Sequence, residues 1–249
     1  MQLDKRSYKY LRDGIEASTS LKSIAIQNCN LAKSKFLHIV TDGMMVSKSL
    51  ENIDVQLNNL EDHHVSAFTK IINAQYEQKD VLRWELGLRN PKELNISKLG
   101  VKVFNFAKNN FSDTFALKLS MALKGDQYIK QINLKHNNLT MEGMKHIADA
   151  VLNHPGLFSV DMRNNPCTKG RDYKKFCKLM QEVFYENIQV GIQESKKYDT
   201  RIKIDWAIPD ALGLEKNRLD DKADMKITHV ERQSYFVELI NEISIRTRV

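Results

Sequence analysis

The chain has 249 residues, of which 42% are hydrophobic and 28% charged, and 38 lysine and arginine residues exceed 31 acidic ones to give a net charge of +7. No run of eighteen apolar residues occurs, and the first eleven residues include four charged residues and two tyrosines. Composition therefore argues against a membrane-spanning helix or secretory signal and favours a soluble cytosolic protein. The positive charge suits an acidic partner, whether nucleic acid, an anionic membrane or an acidic polymer surface.

A repeated pattern organises most of the chain. The motif Leu-x-x-Leu-x-Leu-x-x-Asn/Cys-x-Leu occurs five times, and its ninth positions are separated by 29, 51, 28 and 28 residues. This is typical of long leucine-rich repeats, each a strand followed by a helix. We therefore predict an α/β fold, a leucine-rich-repeat solenoid with a curved parallel sheet inside and helices outside. The ninth positions are Cys29, Asn58, Asn109, Asn137 and Asn165.

Each repeat has a strand whose alternate residues point to opposite sides. The fourth and sixth positions, for example Ile132 and Leu134, are expected inside, and the residues between them outside on the concave face. An Asn at the ninth position can bind backbone groups that would otherwise be buried unpaired. We expect these five ninth-position residues to form a structural ladder.

Helices are predicted between the strands from apolar residues three and four positions apart. Ser112 and Thr140 stand where helix N-caps belong, and Gly43 weakens the helix prediction around it. The predicted stretches are Tyr8 to Ile15, Ser34 to Val46, Val65 to Ile72, Phe115 to Leu123 and Met144 to Leu152.

The interval between Asn58 and Asn109 holds about 22 residues beyond one repeat. The excess falls around residues 76–99. Insertions in repeat arrays form loops or extra helices on one face, often the binding face, although a tolerated surface excursion explains the length equally well. Packing of Trp84 is expected to anchor it.

The repeat pattern stops after Asn165, which divides the chain into an array at 1–170, a carboxy-terminal cap at 171–212 and an extension at 213–249. Residues 172–192 read as a long helix that covers the last repeat, and residues 201–212 as an edge strand or clamp. The extension carries seven basic and seven acidic residues and ends in an amphipathic helix with Phe236, Ile240 and Ile243. That helix either folds back or, as we favour, docks on another protein.

The order of these features resembles the leucine-rich-repeat region of the 78-kilodalton centrosomal protein family, over about residues 8–190. The stretches that carry the resemblance are 21–29, Phe68-Thr69-Lys70-Ile71-Ile72, the interruption with Trp84-Glu85-Leu86-Gly87-Leu88-Arg89-Asn90-Pro91, 132–134 with 138–143, and 160–166. The sequence departs from the family by starting later, with at least one repeat missing in front, and by lacking a long low-complexity tail.

The resemblance implies repeats of the ribonuclease-inhibitor-like kind in a non-enzymatic component of the centriole or basal body that scaffolds other proteins. It also implies a location at the centrosome, basal body or cilium. The family's link to a ubiquitin-ligase assembly is not carried over, because no matching partner motif is found in the sequence.

Motifs for phosphate, dinucleotide, zinc and hydrolase chemistry are absent, so the sequence predicts no catalytic residues, metal site or cofactor. His63 and His64 are expected to face different directions and to serve as surface or capping residues. The three cysteines include no Cys-x-x-Cys pair, and Cys29 and Cys167 are expected to be reduced core residues.

The outward strand positions suggest a binding face. It is basic over the last three repeats and could hold an acidic peptide or a microtubule surface, although charges that only keep the sheet soluble explain it equally well. Aromatic residues are not interleaved with the charges, which argues against nucleic acid. The candidate partner-binding residues on the array are Lys102, Lys108, Lys130, Lys135, His136 and Arg163.

The sequence thus favours a non-enzymatic interaction scaffold of the centriole, basal body or ciliary axoneme, with cytoskeletal or ciliary protein partners that could include tubulin. We expect no membrane insertion and no homo-oligomer. The alternative is a regulatory or adaptor subunit that recruits or inhibits an enzyme, such as a ubiquitin ligase or a GTPase regulator.

Overall fold

The computed structural model describes residues 4–33, 37–89, 100–157, 159–169, 172–177, 180 and 183. Strands and helices alternate along these residues. The helices are α1 Lys5–Ala17, α2 Leu37–Val46, α3 Val65–Arg89, α4 Asp113–Gly125 and α5 Met141–Asn153. The strands are β1 Ser23–Ala25, β2 Asn52–Asp54, β3 Val103–Asn105, β4 Gln131–Asn133 and β5 Ser159–Asp161. Short 3-10 turns lie at Leu31–Lys33, Asp62–His64 and Pro166–Lys169.

The five strands form one open parallel sheet in the order β1-β2-β3-β4-β5. Pairing joins equivalent repeat positions, so that Ile53 pairs with Phe104 and Phe104 pairs with Ile132. The long interval between β2 and β3 therefore leaves the register unchanged. The predicted α/β class with five parallel strands is confirmed.

The hydrophobic core lies between the sheet and the helices, and consecutive helices pack on one another. The fourth and sixth repeat positions are buried from the second repeat onward, whereas Ile24 in β1 at the sheet edge is only partly buried. Phenylalanine replaces leucine in the third repeat. The Phe106 ring stacks on the Phe104 ring, with 5.2 Å between the ring centres, and meets the Phe115 ring edge-on at 5.3 Å. Both arrangements are favourable for aromatic pairs.

The predicted N-caps of α4 and α5 are confirmed. The hydroxyl of Ser112 accepts a hydrogen bond from the Thr114 N–H, and the Thr140 hydroxyl accepts one from the Glu142 N–H. Each cap is also held by the preceding repeat, because Asp113 Oδ1 accepts from the Thr140 N–H at 2.8 Å. Cap bonds thus join neighbouring repeats as well as starting each helix.

Gly43 has a packing role that the helix propensity alone does not reveal. A Cβ atom at this position in α2 would lie 2.7 Å from the backbone oxygen of Arg12 in α1. Glycine is therefore required for the close approach of α1 to α2. The helix begins at Leu37, and residues 34–36 of the predicted stretch lie outside the described residues.

The first part of the predicted insertion lengthens α3, which runs for 25 residues to Arg89. The expectation that Trp84 anchors the insertion by packing is wrong, because 69% of Trp84 is exposed. Gln75 and Lys79 are buried and mark the limit of close packing along this helix. Residues 90–99 lie outside the described residues.

At the carboxy-terminal side, residues 172–177, 180 and 183 are helical. Phe176, Met180 and Val183 join the core that contains β5, so this helix packs against the last repeat. The rest of the predicted cap and the whole extension at 213–249 lie outside the described residues. Among the helices in the described ranges, none is both long and apolar enough to cross a membrane.

Candidate interaction surfaces

Asparagine side chains at the ninth repeat position join neighbouring repeats. Asn109 Oδ1 accepts hydrogen bonds from the backbone N–H groups of Asn58 at 3.0 Å and Leu60 at 3.1 Å. Its Nδ2 group donates to the backbone oxygens of Val55 and Phe106. The side chains of Asn58, Asn137 and Asn165 make comparable bonds to the backbone of the preceding repeat, both accepting and donating. At the Cys29 position, the thiol instead donates to the Gln27 backbone oxygen within its own turn.

A second series of Asp and Asn residues, which the repeat motif does not predict, lies at the end of each strand from β2 to β5. Each side chain accepts a hydrogen bond from the backbone N–H two residues later. This local bond turns the chain out of the strand. The sequence feature that could have indicated this series is the acidic or amide residue at the fifth repeat position, between the inward fourth and sixth positions. The four residues are Asp54, Asn105, Asn133 and Asp161.

The residue before each ladder position adopts a left-handed backbone with φ between 52° and 60°. Asparagine tolerates this conformation better than most residues with a side chain. Leucine, lysine and histidine occupy it in the middle repeats, and their side chains are exposed. The five residues are Asn28, Leu57, Lys108, His136 and Asn164.

At the edge where the strands begin, Glu51 lies between two lysines. Its carboxylate pairs with Lys22 at 2.7 Å and with Lys102 at 2.8 Å. Partial burial acts to raise the pKa of Glu51, but the hydrogen bonds from Lys102 and Lys22 hold that pKa below its ordinary value. Lys102 is thus an ion-pair partner in the array.

Lys130, the equivalent residue one repeat later, is half-buried. Its ammonium lies against Gly156, where a Cβ atom would approach it to 2.6 Å. Burial lowers the pKa of Lys79 in α3, and the nearby positive charges of Lys102 and Lys130 act in the same direction.

The other candidate cations lie where the strands end. The His136 ring nitrogen Nε2 lies 2.9 Å from the side-chain amide of Asn164. Arg163 binds the carboxylate of Asp161 at 2.8 Å. Lys108 is exposed and Lys135 half-buried, and neither forms a salt bridge with another described residue. The six basic residues therefore divide between the two ends of the strands, and Lys108 and Lys135 form no ion pair within the described part of the chain.

A buried polar network links α3 to the loops before β4 and β5. The Lys79 ammonium lies 4.2 Å from the centre of the Tyr128 ring, and Lys79 is 2% exposed. Burial lowers the pKa of Lys79 to about 8, with Asp126 opposing the shift. Such a cation held over an aromatic face stabilises the packing between elements.

Asp126 and His154 continue this network. Asp126 Oδ2 accepts from the Tyr128 and Ile129 N–H groups, both at 2.7 Å, and lies 3.2 Å from His154 Nε2. Burial acts to raise the pKa of Asp126, but the His154 and backbone hydrogen bonds hold it below its ordinary value. His154 Nδ1 accepts from the Gly156 and Leu157 N–H groups, so Nε2 carries the proton donated to Asp126.

The two adjacent histidines lie together, so the expectation that they face different directions is wrong. Their ring centres are 3.7 Å apart. His64 is buried, and its Nδ1 accepts from the Glu61 N–H at the start of a helical turn, whereas His63 is exposed. Among the described residues, no group of three or more His, Cys, Asp and Glu side chains could hold a metal ion.

Cys167 and Cys177 are buried and Cys29 is partly buried, and all three thiols are free. Burial raises the pKa of the Cys167 thiol to about 12 and also raises that of Cys177. These buried thiols are protonated at neutral pH and are poor nucleophiles. The candidate residues Phe236, Ile240 and Ile243 lie outside the described residues.

No family model matches the chain. The chain is 25% identical over 165 residues, 66% of its length, to the mouse centrosomal protein of 78 kDa, and 24% identical over 165 residues to the human protein of that name. The match spans only 21% of the mouse protein and 24% of the human protein. It supports the resemblance to this family that the sequence motifs indicate.

Two solved structures share the fold. The tropomodulin carboxy-terminal domain of Caenorhabditis elegans has a TM-score of 0.54 at 12% identity and covers 75% of this chain and 98% of its own. The actin-binding site 2 of leiomodin-1 has a TM-score of 0.57 at 10% identity and covers 77% of this chain and 95% of its own. At these identities the likeness concerns the fold alone.

Proposed function

We propose that this chain is a non-enzymatic protein-interaction scaffold of the centriole, basal body or ciliary axoneme. Its array would be a leucine-rich-repeat solenoid of the ribonuclease-inhibitor-like kind, with cytoskeletal protein partners, tubulin among the candidates. The observation that carries the proposal is the 165-residue match to the centrosomal protein of 78 kDa. The match spans 66% of this chain and 21% of the mouse protein, so a shared role applies to part of the relatives' length.

The arrangement of hydrogen bonds supports a geometric mechanism. Ladder side chains and cap bonds join neighbouring repeats. A rigid array holds its surface residues at fixed separations, which lowers the entropy cost of binding a partner. The array would therefore position a partner instead of transforming one.

The strand-end edge offers one binding surface. Lys108 and Lys135 lie in neighbouring repeats, and the Lys108 backbone N–H donates to the Lys135 backbone oxygen at 2.8 Å. Two lysines side by side without an ion pair to another described residue suit an acidic partner surface, including that of a microtubule. The opposite edge is less suited, because Lys22 and Lys102 there are engaged in ion pairs with Glu51.

The proposal is tested by imaging the tagged full chain in cells with centrioles and cilia. We expect enrichment at centrioles or basal bodies that falls in a Lys108→Glu, Lys135→Glu variant. A Lys5→Glu, Lys118→Glu variant makes the same charge change at exposed helix positions and should keep the wild-type distribution. A diffuse signal for the wild-type chain would contradict the proposed location.

A further inference from the structure

Helix α3 projects beyond the helices that pack beside it. It has 25 residues against 10 in α2 and 13 in α4, the helices on its two sides, which at ~1.5 Å per residue makes it about 18–22 Å longer. Lys79 is its last buried described side chain, and the side chains described after it are exposed or half-buried. The end of α3 therefore has a surface of its own.

One face of this projection is exposed and mixed in character. Val81 is 55% exposed and Trp84 is 69% exposed, and three exposed acidic residues surround them. Their positions recur at intervals of three and four, which places them on one side of the helix. We call this surface the α3 tip face and define it as Glu77, Asp80, Val81, Trp84 and Glu85.

Aromatic side chains with this exposure are characteristic of binding anchors. Tryptophan is among the residues most enriched at the centres of protein interfaces, where it supplies large apolar area at small entropy cost. The neighbouring Val81 extends the apolar patch along the helix. The acidic residues form a polar rim around it, which is the usual anatomy of an interface.

The charge of the face selects the chemistry of its partner. The whole chain carries +7, yet the α3 tip face carries three acidic residues and no basic one. Glu77, Asp80 and Glu85 form no salt bridge with another described residue. Complementary charge favours association and discriminates between partners, so a basic segment fits this face and an acidic one is repelled.

We propose that the α3 tip face docks a basic amphipathic helix of a partner protein. Apolar side chains of that helix pack on Val81 and Trp84, and its lysines or arginines lie against Glu77, Asp80 and Glu85. This proposal rests on the proposed scaffold function, and it names the class of partner that one surface of the scaffold binds. It is distinct from the strand-end edge, where the unpaired charge is basic.

The test uses the full chain and a fluorescently labelled peptide of about 18 residues, five helical turns, made of lysine and leucine at amphipathic spacing. A second peptide has glutamate at every lysine position. We expect saturable binding of the lysine peptide by anisotropy, weakened at higher salt, and no binding of the glutamate peptide. Equal binding of both peptides would overturn the assignment of a basic partner.

Matched variants locate the bound peptide. Trp84→Ala should weaken binding about tenfold or more, as for a central aromatic anchor, and Glu77→Gln with Asp80→Gln should weaken it further. Met121→Ala is the control, because Met121 is 66% exposed on α4. Unchanged affinity in Trp84→Ala, or a Trp84-dependent dimer in light scattering, would overturn the proposal.

The outcome is separable from that of the proposed location. A chain that localises to centrioles but binds the peptide independently of Trp84 would refute only the α3 tip face. A diffuse chain that binds the peptide through Trp84 would refute only the centriolar location.

Discussion

The side-chain oxygen of Asn109 accepts a hydrogen bond at 3.0 Å from the backbone N–H of Asn58, the equivalent residue of the preceding repeat. The two residues are separated by the 51-residue interval that contains the inserted part of α3. This bond therefore keeps the repeats continuous across the insertion, and it explains why the strand register does not change there.

Replacing Asn109 by alanine should lower the free energy of unfolding by about 2–3 kcal/mol, because several buried backbone groups lose their partner. Urea unfolding followed by circular dichroism measures this change. Asn110→Ala is the matched control, since Asn110 is exposed next to the ladder residue. Similar stabilities for the two variants would show that the ladder bond adds little.

Leu57→Asn should stabilise the protein by about 1 kcal/mol. Leu57 has a left-handed backbone with φ of 60° and is 42% exposed. Asparagine relieves the strain of this conformation and gives up little buried apolar surface. Thermal melting checks the change, and Leu57→Val should move the transition temperature downward because a β-branched residue fits this backbone poorly. An Asn variant that melts below the wild type would contradict the strain argument.

Gly43→Ala should destabilise the protein by about 1–3 kcal/mol, because the added methyl group would push against the backbone oxygen of Arg12. Gly14→Ala is the control within α1, where a Cβ atom would meet nothing within 4 Å. Alanine is the better helix former, so this second variant should gain about 0.5–1 kcal/mol. Equilibrium unfolding of both variants measures the sign of each change in the free energy of unfolding. Changes of the same sign would refute the close approach of α1 and α2.

The repeats, the strands and the helix caps were predictable because each leaves a periodic trace in the sequence. Inward positions such as Ile132 must be apolar and cap positions such as Thr140 need a side-chain acceptor, so local chemistry reports them. The role of Gly43 was not predictable, because it depends on how near α1 lies to α2. A glycine that lowers helix propensity looks the same in sequence whether or not a neighbouring backbone needs the space.

The candidate surfaces were less predictable for a similar reason. The repeat pattern predicts Lys102 and Arg163 on a basic face. In the structure they form ion pairs with Glu51 and Asp161, so their charges are already engaged within the array. Trp84 was expected to pack because most tryptophans are largely buried. Its exposure follows from α3 continuing past its neighbours, which no periodicity in the inserted stretch indicates.

The stability contribution of Lys79 should increase as pH rises from 8 to 10. Its pKa is about 8 in the folded chain and 10.5 ordinarily, so in this range the unfolded state holds more protons and folding gains from proton release. The difference in unfolding free energy between wild type and Lys79→Met should shift by about 2–3 kcal/mol in favour of the wild type. Denaturant titrations at pH 7 and 10 measure it, and a constant difference would indicate an unperturbed ammonium.

The capping role of His64 predicts a pH dependence of the same sign in the acidic range, where stability again rises with pH. Burial is the main cause that lowers the pKa of His64 from 6.5, and the nearby His63 adds to it. As pH falls, the unfolded chain therefore takes up this proton before the folded chain does. The free energy that the capping hydrogen bond contributes above pH 6.5 is therefore lost as pH falls through the pKa of His64 in the folded chain. Once Nδ1 is protonated, it no longer accepts the hydrogen bond from the Glu61 N–H. His64→Asn should reduce the loss between pH 7.5 and 5.5 in denaturant titrations, whereas His63→Asn, at the exposed neighbour, should retain most of it. Parallel curves for all three proteins would show that His64 does not resist protonation in the folded state.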